Sequence, residues 1–185
     1  MTTFEYLAIA YSLLFSAIAL RLVGGLSHVF HRERRYGVHA AFVVMVLFAT
    51  VQNFWVLLSY QDVEWTFVRF IGLLAVPGTL YFIASILVPD NPSSIESWRE
   101  YYFEKRIGFY SGIIGWMLMA FVNTTFTLGM PLASPARLVQ LGVLVVGVCG
   151  LSSAHPLVHQ ALAGLMFVMA LAFGIIVMYI YVPAG

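Results

Sequence analysis

Apolar residues run through this chain in six long blocks, and most charged residues lie in the gaps between them. The blocks cover residues 4–26, 38–60, 66–88, 108–130, 134–152 and 156–182. A helix needs about 20 predominantly apolar residues to cross a hydrocarbon core about 30 Å thick. Each block therefore predicts one crossing. The pattern reads as an all-α polytopic transmembrane helix bundle of six spans, a single domain over residues 1–185. The fifth block is short and the gap before the sixth is tight, so five spans with a re-entrant segment is the alternative.

The longest gap, Pro89 to Lys105, reads PDNPSSIESWREYYFEK. Asp90, Asn91 and Pro92 break the third helix. Ser93 with Glu96 forms a capping box, the hydroxyl accepting from a backbone N–H while the carboxylate reaches back to the cap. A short helix over about 94–106 follows from this. Ile95, Trp98 and Tyr102 share one face of it, and Glu96, Glu100 and Glu104 another. That arrangement predicts an interfacial helix with its aromatics at headgroup depth. Docking of a partner is the alternative, since an acidic stripe gains nothing from anionic lipid.

Composition agrees with the pattern. The chain is 62% hydrophobic and 9% charged, against roughly 45–50% and about 25% in soluble domains. A soluble domain of this size needs more polar residues to cover its surface, so the partner implied is membrane lipid. A net charge of +1 gives no broad pull toward nucleic acid. Cys149 is the single cysteine and can form no disulfide within the chain. The start, Met-Thr-Thr-Phe-Glu, has no basic n-region and no evident small-residue cleavage site, so the first block is expected to stay as a span.

Charge also predicts orientation. The first, third and fifth gaps, with the adjoining helix ends, hold Arg21, Arg32, Arg34, Arg35, Arg99, Lys105 and Arg106, whereas the other side holds Arg69 and Arg137. Basic residues favour the cytoplasmic side, which places both termini outside. Arg32, Arg34, Arg35, Lys105 and Arg106 are then topological anchors. Arg21 is expected to snorkel along its own helix to the headgroups, and Arg69 to pair with Glu5, Asp62 or Glu64.

Polar groups inside the blocks are the candidates for chemistry. Gln52 and Asn53 lie within the hydrocarbon and are expected to face protein, as structural glue or as the lining of a polar cavity. Pro77 removes a backbone donor and kinks the third helix. Tyr81 follows one turn on, so the kink is a candidate for binding a cation or polar substrate. Gly108, Gly112 and Gly115 give the fourth helix a small-residue face for close packing, within the bundle or between protomers.

The five histidines fall at the cytoplasmic rim of the predicted bundle. His28 and His31 are three apart, His155 and His159 four apart, and His39 starts the second block. Such pairs can hold a b-type haem or zinc. However, Pro156 pushes His155 out of helical geometry, and nothing in the spacing makes His28 or His39 converge with His159. The stretch RLVGGLSHVFHRERRYGVH is therefore expected to be a topological anchor without a cofactor, with haem or zinc as the alternative. There is no HExxH, cysteine cluster, nucleophile–base pair or P-loop, so no catalytic residue is assigned and the chain is not expected to be an enzyme.

Glu5-Tyr6 with Ser12, Gln52-x-Phe54-Trp55, and Tyr102-Phe103-x-x-Arg106 carry a resemblance, over most of the chain, to a family of uncharacterised bacterial six-span inner-membrane proteins. The resemblance implies a bacterial inner membrane and no particular activity. The residues themselves point to a bundle that conducts or carries a small solute or ion, as an oligomer. An accessory or scaffolding subunit of a larger membrane complex, and a haem or metal redox protein, are the alternatives.

Overall fold

A computed structural model describes residues 2–180, with side chains as far as Ile176. Residues 181–182, the end of the sixth predicted block, lie outside the described residues. Among the described residues there are six α-helices and no strand. They are α1 (Thr3–Val29), α2 (Gly37–Val56), α3 (Phe67–Leu87), α4 (Trp98–Phe126), α5 (Pro135–Ser152) and α6 (Pro156–Ile180). Tight 3-10 turns extend α2 over Leu57–Tyr60 and precede α4 at Pro92–Ser94.

Local chemistry explains where the helices begin. Thr2 and Glu5 form a reciprocal capping box at α1, with Thr2 Oγ1 accepting from the Glu5 amide at 3.2 Å and Glu5 Oε2 from the Thr2 amide at 2.8 Å. Thr66 accepts from the Arg69 amide at 3.3 Å to cap α3. Proline opens α5 and α6, where its missing N–H costs no intrahelical bond. The α4–α5 turn contains Gly129 at φ 62°, a left-handed conformation suited to glycine.

All six helices are long and apolar enough to cross a membrane. Each also turns a large apolar side chain outward: Leu20, Val51, Val68, Phe126, Leu138 and Val168 are all more than half exposed. That is the surface of a multi-pass membrane protein, whose exterior can be as apolar as its interior. Neighbouring helices close a ring in the order α1–α3–α4–α5–α6–α2, and α2 also leans inward onto α3 and α4. One end of the ring, the basic end, carries the α1–α2, α3–α4 and α5–α6 connections. The opposite end carries the start of α1 and the other two connections.

The third connection departs from the sequence expectation. No separate interfacial helix spans 94–106. Instead α4 runs unbroken for 29 residues, about 44 Å at 1.5 Å per residue, well beyond the hydrocarbon thickness. Two overlapping capping sequences compete here, Ser93–Glu96 and Ser97–Glu100. Ser93 and Ser94 turn back onto Asn91, at 2.6 Å to its Oδ1 and 2.8 Å to its carbonyl. Ser97 makes the cap, accepting from the Glu100 amide at 3.3 Å. Trp98 is completely buried within the protein and does not face outward as an interfacial aromatic would. Its amide donates to the Arg34 carbonyl at 3.2 Å and its indole to the His28 carbonyl at 2.9 Å.

Two arginines also differ from expectation. Arg21 crosses to the end of α3 and does not snorkel along α1. Its Nε donates to the Val88 carbonyl at 2.8 Å and its Nη2 meets Asp90 at 2.6 Å. The break after α3 offers that carbonyl and that acid together. Arg69 donates to the Glu64 carbonyl at 2.6 Å and not to a carboxylate. Of the expected anchors, Arg32 and Arg35 are exposed. Arg34 ties two connections together through the Ser93 and Ile95 carbonyls at 3.0 and 3.1 Å. Lys105 pairs with its neighbour Glu104, and Arg106 donates to the Ser153 carbonyl at 2.8 Å.

Candidate functional site

The ring encloses a cavity with about 90 Å³ open to the centre of a water-sized molecule, continuous with a wider mouth. It occupies the opposite half of the bundle and reaches the middle. Residues 42–60 of α2 and its extension, 113–124 of α4, 136–143 of α5 and 166–173 of α6 supply most of the wall. Much of that wall is apolar and soft: Met45, Met117, Met166 and Met169 lie in it beside Trp116 and Phe173. Among the described residues no charged side chain lines it.

Amides form the polar part of the wall. Gln52 sits on the buried face of α2 and donates through Nε2 to the Ala170 carbonyl of α6 at 2.8 Å. Asn53 Nδ2 donates to the Ala49 carbonyl one turn back at 2.8 Å. Gln140 Oε1 accepts from Arg137 at 2.8 Å. These partners fix which way each amide is turned. They leave Gln52 Oε1, Asn53 Oδ1 and Gln140 Nε2 with no hydrogen bond to any described residue. Asn123 differs, since its Nδ2 donates to Tyr60 at 3.2 Å and its Oδ1 accepts from Thr127 at 2.9 Å.

Arg137 holds this end together. It was counted from sequence as a rim charge near the start of a span, yet it is fully buried. Its guanidinium donates to the Phe121 and Met130 carbonyls, to the Thr124 and Thr125 hydroxyls and to Gln140, at 2.6–3.3 Å, and lies over the Phe121 ring at 4.1 Å. It reaches inward because the end of α4 and the turn after it present carbonyl and threonine hydroxyl oxygens beside it, each with a lone pair left to accept a further bond.

Phe42 closes the cavity toward the basic end. It lines the cavity on one side and packs on the other against Tyr102, Phe109 and Tyr110, with ring centroids 6.1, 4.8 and 6.0 Å away. Beneath it lies a closed polar cluster. His159 Nε2 donates to the Ser153 carbonyl at 2.9 Å, so Nδ1 is the acceptor of the neutral ring. Tyr102 and Tyr110 stand 2.9 and 3.0 Å from Nδ1 and 2.9 Å from each other. One hydroxyl donates to the ring nitrogen, and the other can donate to its neighbour's oxygen. Tyr110 fits because α5 has Gly150 against its ring, where any Cβ would collide with it.

The five histidines lie at the basic end of the bundle, but they divide by burial. His39 and His159 are buried, whereas His31 and His155 are exposed and His28 is half-buried. The physical reason is the length of α4: its first turns extend past the predicted membrane boundary and cover the rim. His39 donates to the Leu87 carbonyl at 3.0 Å and stacks on Trp98 at 4.7 Å. Tyr102 stands between the buried pair, 6.2 Å from the His39 ring and 5.4 Å from that of His159, so a haem between them would have to displace it. Among the described residues no three His, Cys, Asp or Glu side chains group to hold a metal ion.

The remaining candidates separate as well. Gln52 and Asn53 line the cavity, but Pro77 and Tyr81 do not. The face of α3 toward the cavity carries Val76 and Ile83, and Pro77 lies a hundred degrees round from Val76. Tyr81 is exposed near Arg21, with its hydroxyl 3.5 Å from Nη1. Gly108 and Gly112 let α3 approach: a Cβ there would stand 3.3 Å from Ile86 and 2.8 Å from Ile83. Gly115 faces open space. The glycine face is thus a seam within the bundle for two of its three members.

Gln140, Arg137 and the His159–Tyr102–Tyr110 cluster escaped sequence reasoning. One signal was present. Taking Ser97–Glu100 as the cap makes α4 continuous and puts Tyr102 and Phe109 on one face, seven residues apart. Comparison with protein-family models, curated proteins and solved structures returns no match to this chain.

Proposed function

We propose that this protein binds and carries a small solute in its one-ended cavity, as a non-enzymatic bundle of the bacterial inner membrane. The observation that carries the reading is the cavity itself, which combines unengaged amide atoms at one level with a packed aromatic floor at Phe42. An open pore needs a polar path through both halves, whereas a pocket closed at one end suits binding and release. No carboxylate, histidine or cysteine lines the cavity among the described residues, which favours binding over catalysis. The seven-to-two bias of basic residues supports a cytoplasmic basic end with both termini outside. Assembly as an oligomer and membership of the six-span bacterial family belong to the same proposal.

Native mass spectrometry of protein extracted in mild detergent tests the reading. The expected result is a bound small molecule that is lost when Gln52 and Asn53 are both replaced by leucine. A bare chain would contradict it. A stoichiometric partner chain with an empty cavity would favour the accessory subunit, and haem or zinc the redox protein. For orientation, a C-terminal reporter should be active only outside, and a cysteine replacing the exposed Glu33 should resist labelling from outside.

A further inference from the structure

Resting on the reading of the cavity as a binding site, we infer that it takes an uncharged amphiphile of the monoacylglycerol type: a hydrocarbon chain capped by a head with two hydroxyls. The unengaged polar atoms set the head. Gln52 Oε1 and Asn53 Oδ1 are acceptors, adjacent in sequence on α2, and Gln140 Nε2 is a donor supplied from α5. A diol matches this set, donating one hydroxyl proton to each oxygen and accepting from the amide.

Charge narrows the class. No charged side chain lines the cavity among the described residues, and bringing an ion into an apolar site without a paired charge carries a heavy desolvation cost. The terminal nitrogens of Arg137, behind Gln140, make five hydrogen bonds to oxygens of the protein. What the arginine presents to the cavity is the orientation of Gln140. A hydrated metal cation would need several oxygen ligands converging on it, whereas the free set here mixes the two amide oxygens and the Tyr11 hydroxyl with the N–H donors of Gln140 and Trp116.

The rest of the cavity sets the tail. Met117, Met166 and Met169 give a flexible, polarizable wall, which accommodates chains of varied shape. The outward faces of all six helices are apolar, so an amphiphile dissolved in the surrounding lipid is at hand beside the cavity.

The test uses the full chain in phosphatidylcholine nanodiscs, with Cys149→Ser to remove the exposed native thiol and Ala49→Cys to place a thiol on the cavity wall. Labelling by a small maleimide is timed with monoolein, oleate, oleoyl-lysophosphatidylcholine or oleylamine at equal mole fraction. Monoolein is expected to slow labelling at least tenfold and the three charged or zwitterionic amphiphiles less than twofold. Adding Gln52→Leu and Asn53→Leu should abolish the protection, read as the ratio of labelling rates with and without monoolein in the same variant. Asn53→Leu alone, which leaves the Gln52–Ala170 tie in place, should reduce the protection at least fivefold. Equal protection by oleate or by either other charged-head probe overturns the class of ligand while leaving the binding cavity standing. Rapid labelling that no probe slows overturns it too. No labelling of Ala49→Cys under any condition removes the cavity reading itself.

Discussion

At the basic end His159 has both ring nitrogens engaged, the Tyr102 and Tyr110 hydroxyls meet each other and the same nitrogen, and the Trp98 indole and the His39 Nε2 each reach a carbonyl. At the opposite end Gln52, Asn53 and Gln140 each engage one amide atom and keep the other for the cavity. Both ends bury polar groups among apolar helices, where an unmatched group is costly. Their different outcomes separate two uses of polarity. Groups that satisfy one another fix the packing of α4 against α2 and α6. Groups satisfied on one side only leave hydrogen-bonding capacity for a molecule that is not part of the chain. Leftover capacity marks a candidate site only where it faces the cavity: His159 is fully engaged, and His39 Nδ1, although buried without a partner, does not line it, so the amides are the stronger candidates.

This contrast predicts a gradient of effects. The largest belongs to His159→Ala. It deprives two buried hydroxyls of their shared acceptor and opens a void, at a cost of about 3 kcal/mol by the penalties for unmatched polar groups and cavities. Thermal unfolding in detergent should fall by several degrees, and an unchanged midpoint would break the account of the basic end. Gly150→Ala comes next, because its Cβ meets the Tyr110 ring. Overpacking of this kind costs about 1–3 kcal/mol, and the same melts check it. Trp98→Phe keeps the ring and removes the bond to the His28 carbonyl, for about 1 kcal/mol. At the opposite end Gln52→Leu removes one interhelical hydrogen bond and should cost only about 0.6 kcal/mol, the mean for such bonds in membranes, while displacing most of the bound molecule in native mass spectra. Smallest is His31→Ala at an exposed position, expected within about 0.5 kcal/mol of the parent. A large effect there would mean that the first connection does more than turn the chain.

The six helices were legible because a membrane span needs only length and apolarity, and both are local properties of the sequence. The facing of Gln52 and Asn53 was legible for a related reason, since amides in hydrocarbon have few other places to go. What sequence could not resolve was contact between residues far apart. Tyr102 and His159 meet across 57 positions, and no periodicity announces that. The misplaced helix start had a nearer cause. Ser93–Glu96 and Ser97–Glu100 are equivalent capping sequences, and the choice turns on whether Trp98 finds carbonyls at Arg34 and His28. Four residues of difference then decide whether the rim histidines stand in water or under α4. Arg137 was misread in the same way, because a charge near a helix start looks solvated until the carbonyls and hydroxyls at the end of α4 are brought beside it.

The division into an open half and a closed half is tested most directly by thiol accessibility in a Cys149→Ser background. Ala49→Cys lies on the cavity wall, and Val146→Cys replaces a fully buried residue on the α5 segment beyond it toward the basic end. In sealed vesicles, a small membrane-impermeant thiol reagent supplied at the opposite end should modify the first within minutes and leave the second untouched. The same reagent supplied at the basic end should reach neither. Modification of Ala49→Cys from the basic end, or of Val146→Cys at a comparable rate from either side, would contradict a cavity closed at Phe42.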